Sequence, residues 1–317
     1  MPRAAAPPFV GVAISARTCL LFEVMIFMLR HCFLFRLFYN HKKIFQIFIS
    51  IVLFISTLWA TGGQTILLNI TQANLVQIVS IVLLLKLSVL CAAVRWWWFL
   101  RPSSIAISLR RAVDLSVLGN FLNQIMPGGI VGDISRVYMA RGDNLRTGFR
   151  LGIADRMSGV SVLLSLLCGG LSGSWILGVA VIILGHGFIF IRVKNKYHQT
   201  RKGSFAVIYT GASLSLLNTF LMVLAYFYAV RALGVDVQWS YEMAVMIALI
   251  LSAMLVPLSV AGWGIREGAA SLTASFVFLT PAQAVSASVI YGLSFLLACS
   301  LLAALRLLVK MVCTERT

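Results

Sequence analysis

Charge is scarce in this chain, and negative charge scarcer still. Only 11% of its 317 residues are charged, and 9 acidic side chains stand against 26 Lys and Arg. Soluble globules carry roughly a quarter charged residues, so a water-facing shell around one core is excluded. No polar stretch is long enough for a separate soluble domain; the longest hydrophilic run, 192–203, reads as a loop. The 6 cysteines (Cys19, Cys32, Cys91, Cys168, Cys299 and Cys313) lie singly in or beside apolar runs, and the 4 histidines are equally scattered. That spacing excludes a disulfide framework and a structural metal. There is no GxSxG, no HExxH, no histidine–carboxylate cluster and no nucleotide-cradling loop. The sequence therefore predicts neither an enzyme nor an ATP-driven pump, and it calls for no cofactor.

What it does hold is apolar surface. Hydrophobic residues make up 60% of the chain and mean hydropathy is +0.97, more than one core can hide, so lipid must act as part of the solvent. The net charge of +17 sits in short loops between apolar runs and not on one folded face. That distribution excludes nucleic acid as a partner and points to membrane orientation and anionic lipid.

Residues 1–40 are apolar, but Arg17, Glu23, Arg30 and Arg36 leave no uncharged run near the roughly 20 residues a span needs. No cleavable leader pattern follows the basic start. An interfacial helix and a non-native extension both remain open for this segment. Residues 41–317 read as a single transmembrane domain, with apolar segments at 44–60, 75–98, 112–130, 151–170, 175–191, 205–230, 243–258 and 283–305. Arg101, Arg110 and Arg111 precede the third segment, and Arg136, Arg141, Arg146 and Arg150 follow it. The positive-inside rule puts both its ends in the cytoplasm, so it enters and returns, turning at Pro127-Gly128-Gly129. The stretches 61–74 and 169–174 carry no Lys or Arg and read as outside loops, while 192–202 reads as inside. Arg306, Lys310 and Arg316 place the C-terminus in the cytoplasm of a cell (inner) membrane. The segment holding Pro257 must then re-enter from outside. The expected fold is all-α and polytopic: about six full spans and two re-entrant helical hairpins.

The two interrupted segments share a spacing. Pro127, Gly132 and Arg136 stand at relative positions 0, 5 and 9, as do Pro257, Gly262 and Arg266. Asp133 and Glu267 each adjoin a member of the set. The flanking spans run in opposite senses, which makes an inverted repeat. Broken segments in corresponding halves point to a transporter's substrate site.

The run Asn123–Arg136 (NQIMPGGIVGDISR) resembles the signature of the lysylphosphatidylglycerol synthase transmembrane-region family, the flippase-like domain. Asp155-Arg156 resembles that family's second motif, and Pro257–Glu267 (PLSVAGWGIRE) its third. The likeness runs from about Lys43 to Lys310 and departs at Val131, where another glycine is expected. Because the family's aminoacyl synthases continue into a large catalytic domain and this chain stops at Thr317, the resemblance implies lipid translocation or an accessory role.

A lipid crossing the bilayer carries a phosphate that hydrocarbon rejects. Helix N-termini at the breaks suit phosphate, and Gly128, Gly129, Gly132, Gly262 and Gly264 let backbone and ligand approach closely. Arg136 and Arg266 can grip phosphate oxygens through two N–H groups at once. Asp133 and Arg136, three apart, share a helix face. Ser116, Asn120, Asn123 and Gln124 form a polar stripe leading to the turn. Each residue also has a plainer reading: Arg136 as a cytoplasmic anchor, Asp155 and Arg156 as cross-helix ion pairs, the Asn stripe as interhelical glue. Glu267 is expected to pair elsewhere than with adjacent Arg266. Arg95 with Trp96–Trp98 reads as an interfacial anchor, whereas Lys86, deep in its span, should face the bundle or a cavity. The function expected is a flippase or transporter for a phosphate-bearing lipid, of phospholipid or polyprenyl-phosphate type. The alternative is a non-transporting accessory protein that presents such a lipid to a lipid-modifying partner enzyme.

Overall fold

A computed structural model describes residues 44–101, 103, 105, 107–126, 131–140, 145–193, 201–254 and 259–314. The chain divides into two units, Met1–Phe45 and Gln46–Thr317; the packed helices and their buried charges belong to the second. The expectations for residues 1–40, for Pro127, Gly128 and Gly129, and for Pro257 lie outside the described residues.

The described residues are all-helical. In chain order they form α1 Ile44–Thr61, α2 Gly63–Thr71, α3 Leu75–Leu100, α4 Leu109–Ile125, α5 Val131–Ala140 and α6 Leu145–Ser172. There follow α7 Trp175–Val193, α8 Arg201–Arg231, α9 Tyr241–Ala253, α10 Ile265–Thr273, a 3-10 turn Ala274–Val277 and α11 Pro281–Thr314. Several starts carry the expected cap, a side-chain oxygen accepting from a free first-turn N–H. Asn74 accepts from Val76 and Gln77, Ser108 from Arg111 and Ser240 from Met243.

Five stretches among the described residues are long and apolar enough to cross a bilayer: Ile44–Thr61, Leu75–Leu100, Arg146–Ser172, Tyr209–Arg231 and Pro281–Arg306. The apolar stretches Trp175–Ile189 and Tyr241–Ala253 are shorter. This is a multi-pass membrane protein. Segment 61–74, expected as a loop, instead contains α2, which packs on α11 through a hydrogen bond from Asn69 Nδ2 to Ser286 Oγ at 3.2 Å. Ile66 on α2 is buried against Val285 and Val289, and this apolar face is what winds the segment into a helix.

The core lies where α3 packs along α8. Ile81, Leu85 and Val89 of α3 bury against Tyr226, Ala229 and Val230 of α8, while Leu83 and Leu87 face outward. Ser88 Oγ donates to Asn218 Oδ1 across this seam at 2.7 Å, the kind of polar contact that holds helices together in lipid. Lys86 is half-buried.

Both interrupted segments fold back on themselves. α4 packs against α5, and the start of α4 meets the end of α5: the Arg111 guanidinium donates to the Met139 carbonyl at 3.1 Å. α9 packs against α10, and Val235, Gln238, Ser240 and Met243 share one cleft of ≈ 630 Å³ with Phe276 and Leu279. In each pair the start of the first helix thus lies near the end of the second. In the first pair Gly119 and Gly132 lie face to face, with no room for a Cβ on Gly132 against the Gly119 carbonyl oxygen. In the second the chain enters α10 through Ala261 (φ 50), Gly262 (φ 82) and Gly264 (φ 84), a left-handed run. A Cβ on Gly264 would press on the α1 backbone at Ser50 and Phe54, and Ser50 Oγ accepts from Val260 N at 2.8 Å.

Gly132→Ala should destabilise the protein by about 1–3 kcal/mol, the usual cost of an overpacked contact. Gly187→Ala, whose added Cβ meets nothing within 4 Å, should be neutral. Thermal unfolding of the two variants in one detergent checks this. Equal midpoints would mean the α4–α5 contact is loose.

Candidate functional site

Two buried arginines, one beside each break, organise the polar interior. Arg136 projects from α5 and Asp155, 2% exposed, from the first half of α6. Arg136 Nη2 donates to Asp155 Oδ2 at 2.8 Å, and Arg95 Nε of α3 donates to the other oxygen, Oδ1, at 2.7 Å. Arg136 also reaches Asp133 at 3.3 Å, one turn back on its own helix, and Asp133 pairs with Arg156 at 3.1 Å. Among the described residues the cluster is thus Arg95–Asp155–Arg136–Asp133–Arg156, three guanidiniums against two carboxylates. The Arg136 guanidinium sits over the fully buried Trp96 ring, 5.0 Å from its centroid, close enough for cation–π attraction.

Arg266 and Glu267 at the second break are both 0% exposed. Arg266 donates to Glu267 Oε1 through Nη2 at 2.6 Å and Nε at 3.0 Å, and Ser288 Oγ donates to the same oxygen at 2.9 Å. The other carboxylate oxygen accepts from Gly264 N at 2.7 Å. Trp263 and Tyr291 flank the guanidinium at 4.8 and 5.8 Å. A side chain at Gly292 would collide with it.

The described members of the predicted site fall into these two groups. Asn123, Gly132, Asp133, Arg136, Asp155 and Arg156 come together at the first, and Gly262, Gly264, Arg266 and Glu267 at the second. Asp133 and Arg136 share a helix face as expected, and Asp155 and Arg156 both make ion pairs between helices.

Three expectations are corrected. Glu267 does pair with adjacent Arg266, because its carboxylate folds back to cap the helix start and so lies where the guanidinium arrives; the rule against neighbouring pairs describes side chains splayed from a helix interior. Arg95 and Trp96 are not an interfacial anchor but are buried, one holding Asp155 and the other lying under Arg136. Trp97 and Trp98 do flank an arginine, Arg101, at 5.4 Å each. The helix-start donors assigned to phosphate are partly filled by the chain itself, since Asn123 Oδ1 accepts from Gly132 N at 2.8 Å and Glu267 from Gly264 N.

What remains for a ligand is more specific. The buried donors Arg136 Nε and Trp96 Nε1 at the first group, and Arg266 Nη1 and Tyr291 OH at the second, have no partner among the described residues. Buried donors are seldom left unmatched; the first group keeps partial exposure at Arg156 and Asp133, whereas the second is sealed. Sequence reasoning missed Ser288 and Tyr291 and placed Trp96 at the interface. Their aromatic or hydroxyl character in apolar helices carries no positional signal, since it equally fits plain packing.

Removing Asp155 as Asp155→Ala leaves two buried guanidiniums facing each other and should cost about 3–5 kcal/mol. Combining it with Arg95→Met should recover part of that loss. Guanidine-free thermal unfolding of purified protein reads both, and additive losses would show that the pair is not coupled.

Residues 43–303 match the lysylphosphatidylglycerol synthase TM region family. Over 91 residues the chain is 32% identical to a UPF0104 membrane protein of Pyrococcus horikoshii, a stretch covering 29% of this chain and 27% of that protein. No solved structure matches. With three motifs in order and a match spanning most of its length, the chain belongs to the lysylphosphatidylglycerol synthase transmembrane-region family.

Proposed function

We propose that the protein moves a phosphate-bearing lipid, of phospholipid or polyprenyl-phosphate type, between the leaflets of a cell membrane. The observation that carries this reading is the first arginine cluster. Among the described residues it holds three guanidiniums against two carboxylates, with the Arg136 Nε and Trp96 Nε1 donors buried and unmatched. A single phosphodiester charge answers both the third guanidinium and the donors, and guanidinium is the side chain best shaped to grip it.

The packing supports alternating access around two related halves. α3 packs on α8; α4 on α5 and α11; α9 on α10 and α6; α5 on α6 and α10 on α11. Exchanging α3 with α8, α4 with α9, α5 with α10 and α6 with α11 returns the same set of contacts. Two broken helix pairs, each beside a buried arginine, are what an inverted-repeat transporter places at its site. In this reading α4–α5 enters from the cytoplasm, α9–α10 from outside, and the C-terminus is cytoplasmic. About six spans and two re-entrant hairpins complete the topology. With no nucleotide-binding loop in the sequence, an ion gradient or the lipid gradient drives the movement.

Arg136→Lys and Arg266→Lys keep the charge but lose the planar fork. In vesicles carrying a fluorescent-tailed phosphatidylglycerol, each should slow leaflet exchange at least about tenfold, with folding intact by size-exclusion chromatography. Unchanged exchange in both would remove the arginines from the path. Binding without any exchange in the parent protein would replace the flippase reading with that of an accessory protein presenting lipid to an enzyme.

A further inference from the structure

α7 carries a histidine that the lipid path does not use. His186 is 5% exposed and lies in the apolar stretch Trp175–Ile189. An ionisable side chain buried in an apolar helix of a membrane protein is costly and marks function more often than packing. It reaches α6 because the preceding residue is Gly185, where a Cβ would collide with Ser161.

The hydrogen bonds around the ring set its neutral form. Nδ1 lies 3.0 Å from the Ile182 carbonyl oxygen and 3.3 Å from Ser161 Oγ. Ser161 already donates to the Ser158 carbonyl, and neither group gives a hydrogen to Nδ1. Nδ1 therefore carries the proton and Nε2 accepts, from Ser158 Oγ at 2.9 Å. Ser158 Oγ lies 2.6 Å from Ser215 Oγ of α8, and Ser215 accepts from Arg95 Nη1 at 3.1 Å. The chain of donors runs Arg95 to Ser215 to Ser158 to His186. All four side chains are buried, and Arg95 ends the chain on Asp155.

This chain can reverse without any residue losing a partner. When a proton from water adds to Nε2, the imidazolium donates to Ser158. The Ser158 hydrogen turns to Ser215, and the Ser215 hydrogen turns to the Gly211 carbonyl, already 2.9 Å away. One proton is gained, two hydroxyls rotate, and no heavy-atom bond changes.

We propose that His186 is a proton-binding site coupled, through Ser158, Ser215 and Arg95, to the phosphate group held at Arg136. The inference rests on the head-group reading and adds its driving ion. The charged groups facing His186 are Arg95 of α3 and, beyond it, Asp155 of α6 and Arg136 of α5. α8 presents Ser215 and holds no charged residue between Tyr209 and Val230, and α7 holds none between Trp175 and Ile189. The Arg95 guanidinium, linked to the ring through Ser215 and Ser158, makes a positive charge on His186 unfavourable until an anion arrives at the cluster. Anion and proton consequently strengthen each other's binding by the same factor, as linkage requires.

The test measures binding of short-chain phosphatidylglycerol to the purified full chain in detergent, from about pH 5.5 to pH 8, where histidine titrates. Its phosphodiester keeps one charge across this range, and inorganic phosphate run in parallel separates a lipid head group from free phosphate. The parent protein should bind about tenfold tighter at the acid end, within the usual span of coupling between sites. His186→Gln keeps an acceptor for Ser158 and should flatten the profile while leaving the alkaline affinity unchanged. Ser215→Ala keeps the imidazole but cuts the chain, and should shrink the pH effect as well. A pH effect that survives in both variants, or is absent from the parent, overturns the coupling while leaving the head-group reading in place. No binding of either probe at any pH overturns both.

Discussion

Placing a guanidinium inside a membrane protein costs several kcal/mol unless its N–H groups meet a carboxylate in good geometry. Most of the interior answers that demand. Asp155 gives one oxygen to Arg95 and the other to Arg136, tying α3, α5 and α6 to a single carboxylate. Glu267 likewise divides its oxygens, one for Arg266 and one for the start of α10. The glycines answer the same demand. Gly119 and Gly132 let the two arms of the first hairpin close, and Gly292 makes room for the Arg266 guanidinium.

The two centres differ in a way that bears on function. At the second, Arg266 and Glu267 balance in charge and are sealed from solvent. At the first, three cations share two carboxylates, and Arg156 and Asp133 keep partial exposure, 39% and 24% of their side chains. Under the proposed function an entering anion is drawn to the first centre, and the balanced second centre is the firmer of the two. The Ser158–Ser215–His186 network runs from the first centre into α7, giving that helix a connection to its charge.

Much of this was legible from the sequence. Hydropathy marks the long apolar stretches to within about five residues, and the recurrence of proline, glycine and arginine at one spacing marks both interrupted segments. Positive residues on both sides of 112–130 fit the meeting of the start of α4 with the end of α5. Less legible was depth. Arg95 sits near the end of an apolar run, beside three tryptophans, and that composition is the same for an interfacial anchor and for a buried ligand of Asp155. Only tertiary packing separates the two. The Arg266–Glu267 pair escaped because spacing rules assume a regular helix, and here the pair lies in the first turn after a left-handed run. Segment 61–74 carried too little hydrophobic length to mark α2, whose stability comes from α11.

The central claim is that two oppositely oriented halves each bring a broken helix pair back to its own side of the membrane. Single cysteines at Arg146, Ser172 and Thr280, all exposed, in a background lacking the 6 native cysteines, test it with a membrane-impermeant thiol reagent. The account predicts that the cysteine at position 146 labels from the cytoplasm and those at 172 and 280 from outside. Cytoplasmic labelling at 280 would make α9–α10 a full crossing and contradict the inverted arrangement.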